Sequence, residues 1–189
     1  MSLKEVIVDA PGGLKVLACG SAFASLIAAR PKSVGTSLSR IADSDSQTDY
    51  LICDIGAGLG HRVMTFCKLA DEILLVTTPD PTSVTDAYAT AKVVFKRAPE
   101  SAVKIIVKMA SDQAEAQSVY RTLSSISSRF LSKSLDDLEF VPTDSKVSHA
   151  TRQRIPFLLG ALNRQASKAV SGLAETRRQN WPTLKLLAA

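Results

Sequence analysis

The hydrophobic pattern alternates short apolar runs with longer stretches of helical period. Its clearest unit spans residues 49–86. Tyr50–Cys53 is an apolar run of strand length that ends in Asp54. Gly56, Ala57, Gly58 and Gly60 then make a glycine-rich turn. Beyond it, apolar residues at 59, 63, 66, 67 and 70 keep the period of an amphipathic helix. A second apolar run, Ile73–Val76, leads into a polar turn that reaches Asp86. Two short apolar runs around a helix predict a βαβ unit. Runs that are apolar throughout suit strands covered on both faces, as in a parallel sheet. Asp54 then falls at the carboxyl end of a strand, where open α/β sheets bind their ligands.

The rest of the chain extends this pattern. Glu5–Asp9 is a short apolar run, Ala10-Pro11-Gly12-Gly13 a turn by composition, and Leu14–Cys19 a strand. Ala22–Ala29 and Val34–Ala42 read as helices, the first stopped by Pro31. Pro81-Thr82-Ser83 opens a long helix, Val84–Arg97, which Pro99 ends. Val103–Val107 is a buried strand. Ala114–Leu131 is the longest helix, with 116, 119, 120, 123, 126 and 130 on one face. Leu138–Val141 is a last strand, and Asp144 caps a helix that runs through Gln153. Pro156–Leu159 is apolar, and Arg164–Arg178 is a final helix. The tail, Asn180–Ala189, holds Trp181-Pro182 and a leucine-rich end. This alternation predicts an α/β fold, a mostly parallel sheet with helices on both faces. Residues 1–189 are expected to form one domain.

Composition narrows the picture only a little. Hydrophobic residues make up 46% and charged residues 22%, an ordinary globular balance. The net charge of +5 suits an acidic partner, a nucleotide or an anionic surface without requiring nucleic acid. Cys19, Cys53 and Cys67 are odd in number and lack CxxC spacing, which argues against a disulfide framework or a zinc site. With no leader pattern and no apolar run near 18 residues, a cytoplasmic protein is expected. Arg152, Arg154, Arg177 and Arg178 form two basic pairs, read as solvated helix faces rather than a DNA surface. His61 and His149 stand alone and read as surface residues.

Several segments together resemble a known family. DYLICDIGAG followed by ADEILLVTTPDPTSVTDAY is similar to the MinD/FlhG branch of the ParA-type P-loop ATPases. Residues 111–120, residues 140–157 and Pro11-Gly12-Gly13-Leu14-Lys15-Val16 resemble further segments of that branch. The Thr-Thr-Pro-Asp-Pro-Thr turn favours FlhG-like regulators of flagellar number and placement over regulators of the division site. The resemblance implies a P-loop NTPase-like fold, with ATP and Mg²⁺ as cofactors. It implies a Walker-B-like role for Asp54, catalytic through the Mg²⁺ or its water. Gly56, Ala57 and Gly58 become the switch turn facing the terminal phosphate. Lys108, Pro142 and Asp144 fall in the base-pocket region. Pro79, Asp80 and Pro81 form a rigid turn at the carboxyl edge that could face a partner.

Two departures limit what the resemblance implies. No Gly-x-x-x-x-Gly-Lys-(Ser/Thr) occurs in the 189 residues. The fold class is therefore P-loop NTPase-like without the first strand and the P-loop. Such a chain lacks the stacked N–H groups and the lysine that hold phosphates, so alone it is expected to be inactive. Lys108 stands where relatives carry an asparagine, and a lysine cannot offer an amide's paired donor and acceptor.

In that family the absent strand lies beside the one ending at Asp54, so its loss opens an apolar edge. Glu5–Asp9 could fill the gap, two chains could pair edge to edge or swap elements there, or the chain could be a fragment of a longer protein. Self-association, as a homodimer, and a protein partner are expected, and nucleic acid is not. The tail packs against the body or makes a peripheral contact with the inner membrane face. Three functions compete: part of a MinD/FlhG-like ATPase, a P-loop-less scaffold of the same fold, and a basic nucleic-acid-binding domain.

Overall fold

A computed structural model of the chain describes residues 7–17, 48–56, 58, 60–180 and 185–188. The helices expected over Ala22–Ala29 and Val34–Ala42 lie outside the described residues. The chain divides into two units, Met1–Thr48 and Asp49–Ala189.

In the first unit, β1 (Ile7–Asp9) pairs antiparallel with β2 (Lys15–Leu17), Val8 opposite Val16. Pro11–Gly13 is a 3₁₀ turn between them. Gly12 and Gly13 hold φ of 80° and 79°, a left-handed region that glycine enters without a Cβ clash. This turn was legible as the Pro-Gly-Gly cluster.

The second unit holds the sheet. Its elements in order are β3 (Tyr50–Cys53), α1 (His61–Leu69), β4 (Glu72–Thr77), α2 (Pro81–Arg97) and β5 (Ala102–Ala110). There follow α3 (Gln113–Leu131), β6 (Asp136–Pro142), α4 (Ser145–Arg152), α5 (Phe157–Gly160), α6 (Gln165–Asn180) and β7 (Lys185–Ala188). Caps set the helix starts. The Asp80 carboxylate accepts from the N–H groups of Thr82 and Ser83, with Pro81 at the first helical position. At α3, Asp112 accepts from the N–H of Glu115 at 2.8 Å, and Glu115 reaches back to the N–H of Ser111 at 2.7 Å.

The sheet order is β3-β7-β4-β5-β6, and every pairing in it is parallel. β4 and β5 pair along six residues, from Glu72 opposite Ala102 to Thr77 opposite Val107. β7 is the surprise. The tail residues Lys185–Ala188 form a strand inside the sheet, between β3 and β4. The gap expected beside β3 is therefore filled from the carboxyl-terminal end, not by Glu5–Asp9, whose Ile7–Asp9 pairs with β2. The tail does pack against the body, as one of its two expected roles required.

Successive strand residues point to opposite faces. On one face Ile73, Leu75, Val103, Ile105 and Val107 join a core with Met64 and Cys67 of α1, Val94 and Phe95 of α2, and Val119 and Leu123 of α3. Burial pushes the Cys67 thiol pKa up. On the other face Glu72 meets α6: Arg177 Nε lies 2.9 Å from Glu72 Oε1. Arg177 also reaches Glu139 of β6 at 3.5 Å, and Lys104 of β5 lies 3.6 Å from Glu72. Helices thus cover both faces. Arg177 is 4% exposed, so its reading as part of a solvated basic pair is corrected. A charge row across β4, β5 and β6 draws it inward. Arg178 keeps the expected exposure and pairs with Glu175 one turn away.

Candidate functional site at the carboxyl edge of the sheet

Because β3 through β6 run parallel, their carboxyl ends share one edge. Strand spacing of about 4.8 Å makes this edge roughly 19 Å long from β3 to β6. The sequence-predicted residues fall along it in two groups.

The first group follows β3. Asp54 is exposed at the strand's end. Gly56 holds φ 62° and Gly58 φ 137°. A Cβ built on either meets nothing within 4 Å, so dihedral angle rather than crowding demands glycine here. The backbone of this turn is open to close approach. Ala57 lies outside the described residues. Gly60 caps α1 without a side chain.

The second group lies three strands away. Lys108 is exposed near the end of β5, opposite Val141. The ladder slips between Lys108 and Ala110, and Met109 there holds φ 61°. A positive φ at a methionine is a strained backbone site, and here it sits at the ligand edge of the sheet. Pro142 closes β6 opposite Ala110. Asp144 caps α4 through the N–H of Lys146 at 2.9 Å. The Arg164 guanidinium grips it in a fork, Nε to Oδ2 at 3.1 Å and Nη2 to Oδ1 at 3.1 Å. That grip, with the Lys146 N–H, holds the Asp144 pKa below the usual carboxylate range and raises that of Arg164. The side chain of Asp144 is committed to the fold, which its N-cap reading anticipated. Arg164 is a site neighbour that sequence reasoning missed. Its separation of twenty residues from Asp144 left no local signal.

Between the groups stands the turn after β4. Ser83 Oγ accepts from the Thr78 N–H at 3.1 Å and lies 3.0 Å from Thr77 Oγ1. Thr77 Oγ1 donates to the Thr78 carbonyl, so Ser83 donates to Thr77. The turn is thereby locked onto α2. Asp80 beside it has its pKa lowered by the Thr82 hydroxyl, then by the N–H groups of Thr82 and Ser83. An apolar groove of about 420 Å³ begins under Pro79 and Pro81 and continues between Tyr88 of α2 and Ile126 of α3.

The donor set at Asp54 is a single exposed carboxylate. Among the described residues no group of three potential metal ligands occurs. One carboxylate suits Mg²⁺ held chiefly by water and phosphate, not an ion caged by protein. The open glycine turn suits a phosphate approaching backbone. Lys108 presents an ammonium, which fits phosphate or carbonyl better than a base edge.

Fold and edge together define an open parallel α/β protein whose candidate site lies along its strand ends. Relatives make this more particular. The chain is 27% identical over 180 residues to the antiactivator FleN of Pseudomonas aeruginosa, covering 95% of this chain and 64% of that protein. It is 32% identical over 110 residues to the flagellum site-determining protein YlxH of Helicobacter pylori, covering 58% of this chain and 37% of that protein. The chain thus spans less than two-thirds of the length of these curated relatives. No family model matches the sequence. The two relatives agree with the motif resemblance to the MinD/FlhG branch. Among the described residues no helix is long and apolar enough to cross a membrane.

Proposed function

We propose that the chain is the larger part of a MinD/FlhG-like ATPase that regulates flagellar number and placement. The observation that carries this reading is the end of β3. There Asp54 is exposed and is followed by two glycines at positive φ, in a parallel sheet. The Asp54 carboxylate would orient water around a magnesium-bound nucleotide, and the Gly56–Gly58 backbone would approach its terminal phosphate. The locked Thr77–Asp80 turn fixes the neighbouring wall. Bound Mg²⁺ would supply charge neutralisation at the phosphates. The phosphate-cradling loop comes from a segment of the same polypeptide outside these 189 residues. This chain alone is inactive.

The test is ATP binding and hydrolysis with Mg²⁺, in this chain and in the chain extended by its own upstream coding sequence. The extended protein hydrolyses ATP, and Asp54→Asn lowers kcat by two orders of magnitude or more, in the range of a lost positioned polar group. Hydrolysis by the 189 residues alone, or an Asp54→Asn variant with full activity, contradicts the reading.

A second reading is a non-catalytic scaffold of the same fold. One observation favours it: β7 closes the sheet beside β3 without any added strand.

A further inference from the structure

The stretch from α4 into α6 carries the whole charge excess of the chain. No Asp or Glu occurs from Ser145 to Ala174, while Lys146, Arg152, Arg154, Arg164 and Lys168 are basic. Of the 23 Lys and Arg, the other 18 are matched by the 18 Asp and Glu. The same stretch exposes apolar side chains. Ile155 is 49% exposed, Leu159 53% and Leu162 66%, all within residues 155–162. A single exposed leucine is ordinary, but three so close together, with cations around them, mark an interaction surface. Arg164 is committed to Asp144. Lys146, Arg152, Arg154 and Lys168 are exposed, and among the described residues no carboxylate pairs with them.

This surface is fixed by its own bonds. The fork between Asp144 and Arg164 ties one end of the stretch to the other. Past α4, the Arg154 N–H donates to the Thr151 carbonyl and the Ile155 N–H to the Ala150 carbonyl, each at 3.1 Å. They hold Arg154 at φ 56°, a left-handed value that strains an L residue. Lipid headgroups ask only for mobile cations, which lysines supply. Arginines on a fixed backbone match the paired oxygens of carboxylates instead. Arginine beside exposed aliphatic side chains is also the make-up of a protein-binding surface.

We propose that residues 145–168 dock a protein partner through an acidic amphipathic helix of that partner. The apolar stripe of the helix, at spacings of three and four residues, covers Ile155, Leu159 and Leu162. Its Asp and Glu pair with Arg152 and Arg154, and with Lys146 and Lys168 at the rim. The apolar contact holds the helix, and the cations select it and set its orientation. This docking requires no nucleotide and stands apart from the carboxyl edge of β3.

The probe is a fluorescein-labelled helical peptide of about sixteen residues, with leucine on one face and glutamate on the other. One control replaces every glutamate by lysine, and another scrambles the leucine spacing. Binding to the chain is read by fluorescence anisotropy at about 0.1 M salt. The glutamate peptide binds, the lysine copy does not, and the scrambled copy binds at least about tenfold more weakly. Arg152→Glu with Arg154→Glu weakens binding at least about tenfold, and so does Leu159→Ser with Leu162→Ser. Arg97→Glu, at the end of α2, leaves it unchanged. All these side chains are exposed, so the melting temperatures stay near that of the parent. Equal binding of the glutamate and lysine copies overturns the proposal, as does unchanged binding in either double variant. The chain is also spun with phosphatidylserine-containing vesicles. Sedimentation with them that either double variant abolishes overturns the proposal, since the occupant is then a membrane. A chain that dimerises in light scattering and is made monomeric by the leucine variant overturns it too, since the occupant is then a second copy.

Discussion

Gly56 holds φ 62°, whereas Gly172 lies in the exposed run of α6 with no positive φ and nothing within 4 Å of an added Cβ. The same substitution therefore has opposite signs at the two. Gly56→Ala destabilises by about 1 kcal/mol, because an L residue resists the left-handed region. Gly172→Ala stabilises by about 0.5–1 kcal/mol, by restricting the unfolded chain in a helical site. Urea midpoints at neutral pH check both. Asp144 gives a pH signature. Its pKa in the folded chain is lowered below the ordinary 3.8 by Arg164. A depressed carboxylate contributes stability that is fully present above its ordinary pKa and fades as pH falls through the lowered value. Asp144→Asn is therefore less stable than the parent at pH 7, and the two melting temperatures converge as pH drops below about 4. A constant gap across that window would show that the Arg164 grip is not electrostatic. Asp54 and its glycines were legible in the sequence because a strand, an acid and a glycine turn are all local signals. Arg164 was not, because a clamp between distant turns leaves no periodic trace.

Among the elements, α6 and β7 show where sequence reading stops. The period of α6 places Arg177 among polar neighbours, and nothing along the helix shows that Glu72 and Glu139 wait on the sheet. Burial at 4% for Arg177 and 3% for Glu72 makes the pair costly to break from one side. Arg177→Met destabilises by about 3 kcal/mol, since it removes the guanidinium 2.9 Å from the buried Glu72 carboxylate. Adding Glu72→Met to it recovers much of that loss, whereas Arg178→Met alone leaves the melting temperature nearly unchanged. A double-mutant cycle with no coupling between Glu72 and Arg177 would sink this account of how α6 docks. The tail was hidden for another reason. Lys-Leu-Leu-Ala behind Trp-Pro is too short to show a strand period, and only an empty sheet position selects it. By contrast α2 and α3 carry long apolar faces and clear caps, and both formed within one residue or so of their expected starts. Leu123 of α3 is fully buried against β5, and Leu123→Ala costs about 2–5 kcal/mol in chemical denaturation.

At the scale of the molecule, alternation of strands and helices was enough to give a parallel sheet covered on both faces. The order of its strands was not fully legible, because β7 joins residues 185–188 to residues 50–53 across most of the chain. The proposed site shows the same limit. Residue types at the carboxyl edge are set by local motifs, but the strand beside Asp54 comes from elsewhere, here from the tail. The central claim is that a further segment of the same polypeptide completes this edge. The coverage of 64% of FleN and 37% of YlxH leaves room for one. The most direct measurement is the intact mass of the native protein from its own cells. A mass clearly above 20.2 kDa is the predicted result, and Asp54 then belongs to a complete nucleotide site. A native mass of 20.2 kDa would contradict the claim, and the carboxyl edge would be the architecture of a scaffold closed by its own tail.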